Sequence, residues 1–452
     1  MMKTIRDNWS SKFGFVLAAA GSAIGLGNIW KFPYSVGTNG GGAYVALYLI
    51  FLIIIGIPMM LAAVTLGRKT QLSVFGAYKS IDRRWSFAGA LAVTCSFIVL
   101  AFYSTVGGWV LYYLKSALWG NLNTRDPEIL TGFFTNMMNS PEILIFYQSI
   151  FLLLTMLIVT NGIKRGIEST SKIMMPGLFI LLMILVIRSV TLQGSIEGIK
   201  FLLVPDFSKI TMEVAKNAMG QVFFSLSIGM GIMITYGSYL EKDANLLSTA
   251  VSIPLLDTMA ALIAGFATIP AVFALGFEVG EGPGLMFVTL PAVFASMPLG
   301  QVFCIAFFLM ITFASLTSSM SILEISVSYF VDERKNDRKK STLMVGLMVF
   351  VMGLPASLSL VDGSGLKVGS LSFFDIYDKL SSNILLTTGG FLLCIFVGWV
   401  LKTSEAVKEI ELSGVEFNIA PLWGFLVKYI VPVGVFITLF NAYKDFATCL
   451  FQ

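Results

Sequence analysis

Long apolar runs separated by short polar segments dominate the sequence. An α-helix needs about 20 apolar residues to cross the hydrocarbon core of a bilayer, and these runs reach that length along the whole chain. They do not alternate apolar and polar residues as the strands of a membrane barrel would. We therefore predict an all-α membrane protein. Its eleven predicted spans lie at residues 13–37, 43–67, 87–114, 142–160, 170–190, 214–240, 247–275, 300–331, 342–360, 372–401 and 420–443.

The composition excludes several other classes of protein. Of the 452 residues, 56% are hydrophobic and 12% are charged, whereas a soluble domain carries about 25% charged residues. A disordered chain, a nucleic-acid-binding protein and an ordinary cytosolic enzyme are therefore excluded. The chain has no histidine, which excludes a histidine-ligated metal and a Ser-His-Asp triad. The four cysteines form no CxxC pair, and we interpret them as buried packing thiols.

The distribution of Lys and Arg predicts the orientation in the membrane. With the N-terminus inside, nineteen of the 30 Lys and Arg lie on the cytoplasmic side and eight on the other. Cytoplasmic loops are usually enriched in these residues, and an odd number of spans then places the C-terminus outside. The basic start followed by an apolar stretch also resembles a cleaved signal peptide. Because the apolar run continues to Gly37, we favour a membrane span.

Glycines interrupt the first and sixth predicted spans in the same way. Gly21, Gly25 and Gly27 lie in the middle of the first span, although a glycine costs a helix interior about 1 kcal/mol. Residues 24–27 read I-G-L-G, and residues 228–231 read I-G-M-G. Five spans separate the two copies, so the second runs in the opposite direction. This arrangement is typical of the inverted repeat of a secondary transporter, whose binding site lies at two broken helices.

These glycines have two other interpretations. Small residues at this spacing also let membrane helices pack closely, and Gly21 and Gly25 fit that pattern. A dinucleotide-binding loop is disfavoured because no G-x-G-x-x-G follows a strand. Broken helices would supply free carbonyls for a small cation, and free amides with a positive dipole end for a carboxylate. One site would then hold Na⁺ and a zwitterion together.

Four motifs in the sequence resemble the neurotransmitter:sodium symporter family. They are Asn28–Tyr34 (NIWKFPY), Asn39–Gly42 (NGGG), Gly220–Ser227 (GQVFFSLS) and Leu316–Ser319 (LTSS). The resemblance covers nearly the whole chain, and it is nearest to bacterial members with eleven rather than twelve helices. It implies a five-plus-five inverted repeat in which helices 1 and 6 are unwound. The first repeat would comprise residues 1–190, the second 191–403 with an outer lid at 282–300, and the additional helix 404–452.

The same resemblance implies two sodium sites. Asp257 would bring a negative charge to the first site, so we expect no chloride requirement. As alternatives, Asp257 would be a carboxylate at a helix end or interface, and the hydroxyls of Thr317 and Ser318 would join helices by hydrogen bonds or bond back to carbonyls of their own helix. The residues implied for the first site are Ala23, Asn28, Ser225 and Asp257. Those implied for the second site are Gly21, Ile24, Ala314, Thr317 and Ser318.

The resemblance also implies an amino-acid pocket between two gates. Its residues would be Ala23, Leu26, Gly27, Val99, Tyr103, Phe224, Ser227, Met230, Ser318 and Ile322. Apart from the serines, these side chains are apolar or aromatic, which predicts a neutral hydrophobic substrate. Ordinary helix packing remains an alternative for one or two of them. The gate residues would be Lys31, Asp378 and Gln221 on the outside, and Arg6, Asp332, Tyr239 and Trp9 on the inside.

Two further features have weaker explanations. Gly166 and Pro176 flank the predicted cytoplasmic start of the fifth span, where an opened helix would admit water toward the second sodium site. Glu324 lies deep in the eighth span, and the sequence does not reveal its partner. It would be protonated, paired or involved in proton antiport. We interpret the charge run at 334–340 as a solvated cytoplasmic loop.

These features predict a sodium-coupled symporter and not an enzyme. It would carry neutral hydrophobic or aromatic L-amino acids, such as tryptophan and leucine, into the cell by alternating access, without chloride. Its partners would be this substrate, Na⁺ and the bilayer of a bacterial-type plasma membrane, and no nucleic acid. The alternatives are a proton-coupled or uncoupled exchanger of the same architecture, an ion channel and a membrane enzyme. The hydroxyls of Thr317 and Ser318 favour the symporter over the exchanger.

Overall fold

The computed structural model describes residues 8–276 and 284–451, and these are almost entirely helical. The first half contains α1 (Lys12–Ala23), α2 (Gly27–Thr38), α3 (Gly42–Thr70), α4 (Val74–Ile81), α5 (Arg83–Leu118), α6 (Pro127–Met138), α7 (Pro141–Thr160), α8 (Ile163–Val190) and α9 (Ser195–Leu203). The second half contains α10 (Met212–Leu226), α11 (Ile232–Gly237), α12 (Leu246–Ala274), α13 (Leu285–Ala295), α14 (Gly300–Asp332), α15 (Arg338–Leu358), α16 (Phe373–Val400), α17 (Thr403–Glu411) and α18 (Ala420–Thr448).

Nine of the helices in the described ranges are long and apolar enough to cross a membrane, and a tenth span is a bent pair. In that pair, α1 and α2 meet at an angle of 56°. Ten of the eleven predicted spans coincide with these elements. The sixth predicted span is helical in two shorter pieces, α10 and α11, with a tight helical turn at Ile228–Met230 between them. The prediction of an all-α membrane protein is confirmed, while the inverted repeat stays a prediction.

The polar connections contain short helices and a hairpin that the apolar pattern does not indicate. In the connection at 115–141, α6 begins where the Asp126 carboxylate accepts a hydrogen bond from the Glu128 amide, at 2.9 Å. One face of α6 buries Leu130 and Met137 against the bundle. Because α6 has only 12 residues, it is too short to show as a membrane span. Strands β1 (Lys367–Val368) and β2 (Leu371–Ser372) form the hairpin.

Helix α14 packs against α1, α5, α7 and α8 at the centre of the molecule. Hydroxyl groups join it to these neighbours. Ser326 Oγ lies 2.7 Å from Ser96 Oγ of α5, and Ser319 Oγ lies 2.8 Å from Thr155 Oγ1 of α7. Small and hydroxyl-bearing residues are what lets helices approach one another in a membrane. Three of the cysteines, Cys95, Cys304 and Cys394, are free and buried, as expected of packing thiols.

Candidate functional site

The first span is broken in the middle, at the position of its glycines. Helix α1 ends at Ala23, and Ile24 is extended with φ −73° and ψ 92°. The side chain of Asn28 then folds back on the break, because its Oδ1 accepts a hydrogen bond from the Gly25 amide at 3.2 Å. The backbone amide of Asn28 donates in turn to the Gly25 carbonyl, also at 3.2 Å. Asn28 therefore binds backbone groups at the break that an unbroken helix would pair within itself.

The second break lies between α10 and α11. Ser227 and Gly231 both adopt left-handed backbone conformations, with φ of 49° and 84°. Gly229 has a different role, since a Cβ on it would overlap the carbonyl oxygen of Leu386 in α16. The two sequence interpretations of these glycines therefore both apply. Gly231 permits the turn, whereas Gly229 permits α16 to pack directly on the broken segment.

A buried polar cluster joins the two breaks to α12. Asn28 Nδ2 donates to Asp257 Oδ1 at 2.7 Å and to Ser225 Oγ at 3.1 Å. Ser225 Oγ donates to the other carboxylate oxygen of Asp257 at 2.7 Å. Tyr48, which the sequence analysis missed, also donates to that oxygen, at 3.4 Å. Three of the four residues implied for the first sodium site are thus in direct contact, and Ala23 lies at the adjacent end of α1.

The charge of Asp257 is what makes this cluster chemically notable. The residue is completely buried, and no Lys or Arg of the described chain forms an ion pair with it. A buried carboxylate is costly unless hydrogen bonds or a cation compensate it. The oxygens of Asp257, Ser225 and Asn28 are hard ligands of the kind that small cations such as Na⁺ prefer. The residues present therefore fit a cation of this kind.

The residues implied for the second sodium site lie where α1 packs on α14. Gly21 brings the helices together, because a Cβ on it would lie 3.2 Å from Thr317 Cβ and 2.8 Å from Met175 Sδ. Ser318 Oγ donates to the carbonyl of Ser22 at 3.2 Å, and more weakly to that of Gly21 at 3.5 Å. Thr317 Oγ1 donates to carbonyls of its own helix, including Ala314 at 3.0 Å.

The Ser318 hydroxyl proton therefore joins the two helices, and the Thr317 hydroxyl proton bonds back to its own helix, as the alternative interpretation held. The hydroxyl oxygens keep lone pairs that a cation would use. Ile24 and Ala314 are fully buried in the same apolar cluster. The structure thus brings Gly21, Thr317 and Ser318 to one contact between two helices, and Thr317 also contacts Ala314.

A cavity of ≈ 290 Å³ lies between the two breaks. It is lined by all ten residues of the predicted substrate pocket, namely Ala23, Leu26, Gly27, Val99, Tyr103, Phe224, Ser227, Met230, Ser318 and Ile322. The hydroxyl of Tyr103 is buried and has no hydrogen-bond partner in the described chain. It approaches the break closely, since a Cβ on Gly25 would lie 3.3 Å from it.

Six further apolar or aromatic residues extend the wall of the cavity beyond the predicted set. They are Trp30, Tyr34, Phe102, Val106, Phe374 and Leu386. Four of them follow from helical spacing, because residues three, four, seven and eight positions apart share one face of a helix. Trp30 and Tyr34 continue the face of Leu26, and Phe102 and Val106 continue that of Val99. The predicted pocket omitted these four residues because it was taken from family motifs and not from helical spacing.

The predicted outer gate lies at one end of the same cavity, although its two charges are not in contact. Lys31 and Asp378 both line the cavity, but they form no ion pair in the described chain. Lys31 Nζ instead lies 4.0 Å from the ring centroid of Phe224, a cation–π distance. Asp378 accepts a hydrogen bond from Ser382 Oγ at 2.8 Å. Gln221 Nε2 donates to the carbonyl of Gly27 at 3.2 Å, which ties α10 to the first break.

The predicted inner gate shows two sets of contacts, one among aromatic residues and one at Asp332. Trp9 Nε1 donates to the carbonyl of Tyr236 at 3.0 Å, and the Trp9 ring packs edge-on against Tyr239. Asp332 accepts a hydrogen bond from the amide of Ser73 at 2.7 Å. Arg6, the predicted partner of Asp332, lies outside the described residues.

The structure supplies the partners that the sequence did not reveal for Glu324. Arg338 donates to both of its carboxylate oxygens, with Nη2 at 2.5 Å from Oε2, and Tyr239 Oη donates to Oε1 at 2.7 Å. Arg338 belongs to the charge run at 334–340, so the interpretation of that run as solvated is wrong for this residue. Its side chain turns inward because a buried carboxylate without a counter-charge would be costly.

Another buried acid, Glu168, was not predicted, and it holds the N-terminal segment against α8. It accepts hydrogen bonds from the Ser10 amide and from Lys172 Nζ, both at 2.7 Å. Gly14 leaves room for this carboxylate, since a Cβ there would overlap it. Gly166 has a packing role, because a Cβ on it would overlap the carbonyl of Ile158. The suggested opening of this helix start stays a prediction.

The fold and the site define a multi-pass helical membrane transporter, with a central cavity between two broken helices. A sequence model of the sodium:neurotransmitter symporter family matches residues 6–144 and 135–451. The chain belongs to this family, as its motifs predicted, and it is a sodium-dependent transporter rather than an enzyme.

Two of the similar proteins come from bacteria. The chain is 41% identical over 438 residues to the uncharacterized sodium-dependent transporter YhdH of Bacillus subtilis (strain 168), covering 96% of this chain and 97% of YhdH. It is 39% identical over 442 residues to an uncharacterized sodium-dependent transporter of Haemophilus influenzae, covering 95% and 96%. The crystal structure of MhsT in complex with L-phenylalanine matches with a TM-score of 0.89 and 41% identity, over 97% of this chain and 100% of that chain.

Proposed function

We propose that the protein imports neutral hydrophobic or aromatic L-amino acids together with Na⁺, by alternating access and without chloride. One observation carries the proposal: a single cavity is lined by two broken helices and by an apolar and aromatic wall. Broken helices offer main-chain polar groups to the amino and carboxylate groups that all amino acids share. The wall selects the side chain, because burying apolar surface is favourable and leaving a charge unpaired is not.

The substrate's charged groups would be met at the first break. The amides of Leu26 and Gly27 and the buried hydroxyl of Tyr103 all border the cavity, and that hydroxyl is unpartnered within the described chain. These are suitable donors for a carboxylate. The substrate's ammonium would meet carbonyls near Ala23, Phe224 and Ser227. MhsT, with which this chain shares 41% of its residues, was crystallised in complex with L-phenylalanine, which supports this class of substrate.

Two Na⁺ ions would be co-substrates. The first would lie among Asn28, Ser225 and Asp257. The Asn28 amide would have to turn, so that its oxygen, which accepts from the Gly25 amide in this structure, faces the ion in place of Nδ2. The charge of Asp257 would balance this cation, so that no chloride is needed near the site. The second would lie at the contact of α1 with α14, among neutral carbonyl and hydroxyl oxygens. A site without formal charge holds Na⁺ weakly, which suits release into the cell.

Alternating access would use the two gates in turn. Lys31, Phe224 and Asp378 would control access from the outside, and the contacts of Trp9 and Glu324 would control release on the inside. The excess of Lys and Arg on one side supports a cytoplasmic N-terminus and an external C-terminus in a bacterial-type plasma membrane.

Uptake into proteoliposomes tests this proposal. Labelled L-phenylalanine, L-leucine and L-tryptophan are supplied with an inward gradient of either Na⁺ or K⁺, and chloride is replaced by gluconate in a parallel series. We expect accumulation above equilibrium with Na⁺ only, and equal accumulation in gluconate. Equal uptake in Na⁺ and K⁺ would favour the exchanger, and loss of uptake in gluconate would reject the proposed role of Asp257. D-amino acids serve as the control for stereoselective binding.

A further inference from the structure

A second cavity lies on the outer face of the helix bundle, on a different face of α5 from the central cavity. It is an open groove of ≈ 640 Å³ between α5 and α15. Its walls are apolar except for one threonine, and Leu347, Met348 and Val351 are exposed there. The groove residues are Thr94, Phe97 and Ile98 of α5, and Leu347, Met348, Val351 and Met352 of α15. Such a face in a membrane protein meets lipid chains rather than water.

The two helices that form the groove run parallel and begin at the same end of the molecule. Thr105 Oγ1 lies 2.8 Å from Ser357 Oγ, and a Cβ on Gly353 would lie 3.0 Å from the carbonyl of Ala101. In both contacts the two residues are 252 positions apart in the sequence. This constant offset means that the two helices run in the same direction. Immediately before these helices, Lys79 Nζ and Glu333 Oε2 form an ion pair at 2.7 Å. Basic residues at the two helix starts therefore lie close together.

Four basic residues are exposed at this shared end, and the groove begins above them. Arg83 and Arg84 begin α5, and Lys339 and Lys340 lie in the first turn of α15. At 1.5 Å per residue, the groove residues of α15 lie about 10–20 Å from these lysines along the helix. That distance is close to the hydrocarbon depth of one leaflet, which is about 15 Å. A lipid whose headgroup meets the basic end would place its acyl chain in the groove.

Acidic residues reduce this positive charge but do not cancel it. Asp82 accepts a hydrogen bond from the Arg84 amide at 2.9 Å and lies 3.5 Å from Arg84 Nε. Asp337 accepts from the Lys339 amide at 3.0 Å, which caps α15. Four basic and two acidic side chains leave a net positive surface beside the groove. Both carboxylates also serve as helix caps, so their hydrogen-bonding capacity is partly used by the backbone.

We propose that this groove binds one anionic phospholipid, with its phosphate at Arg84, Lys339 and Lys340 and one acyl chain against Val351 and its neighbours. Basic clusters at the ends of membrane helices attract anionic headgroups by about 1 kcal/mol per residue, which is about fivefold in affinity. The charge favours a lipid over a second copy of the chain as the occupant. A two-fold axis along the membrane normal would bring two positive clusters together, and these would repel each other.

Photo-crosslinking in nanodiscs tests the proposal without using transport. The full-length protein is reconstituted with phosphatidylglycerol or phosphatidylcholine that carries the same photoreactive acyl chain, and labelled peptides are mapped by mass spectrometry. We expect phosphatidylglycerol to label residues 94–98 and 347–352 preferentially. The variant Lys339→Ala/Lys340→Ala should lose about tenfold or more of this preference. The matched control Lys402→Ala/Lys408→Ala removes two exposed lysines near α17 and should leave it unchanged.

A change in the groove itself provides a second test that keeps the charges. Thr94→Phe fills the α5 wall and should lower labelling of 347–352 by either lipid, whereas Leu157→Phe, on the exposed face of α7, should not. Equal labelling by the two lipids, or equal loss in both lysine pairs, would overturn the proposal. Persistent labelling in Thr94→Phe would do the same. Crosslinks between two copies at the groove would assign it to a protein contact instead.

Discussion

Asn28 Nδ2 lies 2.7 Å from Asp257 Oδ1, although 229 residues separate the two in the sequence. Asn28 also caps the break of the first span through Gly25, so one side chain joins the broken backbone to the buried charge. A cation that binds Asp257 would therefore change the hydrogen bonds that hold the break. If Na⁺ and the substrate bind at the break as proposed, this contact gives a physical route by which each would affect the binding of the other.

Asp257→Asn should impair sodium use more than substrate recognition. The variant keeps the size of the side chain and removes its charge, and a hydrogen bond to a charged group is worth about 1.5–3 kcal/mol. We expect the Na⁺ concentration for half-maximal uptake to rise about tenfold or more. The measurement is initial uptake of L-phenylalanine against Na⁺ concentration in proteoliposomes. An unchanged Na⁺ dependence would show that Asp257 has only a packing role.

Tyr103→Phe should weaken substrate binding without loss of stability. The removed hydroxyl lies near Ser318 and Leu26 but forms no hydrogen bond of regular geometry in the described chain, so the folded state loses little. A carboxylate that accepts from it would lose about 1.5–3 kcal/mol, and KM should rise about tenfold or more. Tyr113→Phe is the matched control, because Tyr113 is also buried with an unpartnered hydroxyl in the described chain but does not line the cavity. Equal KM values in both variants would remove Tyr103 from the site.

Gly229→Ala should abolish transport, whereas Gly220→Ala should not. A Cβ on Gly229 would overlap the carbonyl of Leu386, and neither backbone can move without separating α16 from the break. A Cβ on Gly220 meets nothing within 4 Å and should slightly favour helix α10. Thermal unfolding and uptake of both purified variants provide the measurement. Normal uptake by Gly229→Ala would mean that α16 does not pack on the break in the working protein.

The sequence was sufficient for the fold class and for the location of the breaks, because both depend on local pattern. Apolar length marks spans, and glycines such as Gly21 and Gly25 mark the break within one span. The contact among Asn28, Ser225 and Asp257 could be predicted only from family motifs, because no local pattern relates residues in three different spans. Helix α6 was missed because a short helix at the membrane surface has no long apolar run.

The least predictable feature was which partner each charged side chain contacts. Arg338 lies in a run of charges that looks solvated, and only the fold shows that Glu324 lies within its reach. Lys31 and Asp378 were expected to pair, yet Lys31 lies over Phe224. Residue type gives the possible partners of a lysine, but the distance between helices selects among them.

Arg338→Ala should destabilise the protein, because it leaves the Glu324 carboxylate buried without the counter-charge of Arg338, although Tyr239 still donates a hydrogen bond to it. Removing one partner of a buried ion pair costs about 3–5 kcal/mol. The double variant Glu324→Ala/Arg338→Ala should recover part of this loss, since no charge is then left uncompensated. The melting temperatures of the two single variants and the double variant form a double-mutant cycle.

The control for this cycle is Arg334→Ala, which removes an exposed arginine from the same charge run. It should change the free energy of unfolding by less than about 0.5 kcal/mol. Additive effects in the cycle would contradict the pair, because they would mean that Glu324 and Arg338 stabilise the protein independently.

Met230→Phe should narrow the range of substrates. Met230 lines the cavity and is 3% exposed, and its unbranched side chain adapts to different shapes, whereas a phenyl ring does not. The ring would occupy space that a bulky substrate needs, so uptake of L-tryptophan should fall about tenfold relative to L-leucine, within the range that a few atoms contribute to discrimination. The ratio of the two kcat/KM values within one preparation is the measurement, because a loss of folded protein lowers both equally. If the ratio stays constant while both rates fall, Met230 supports the broken segment but does not select the substrate.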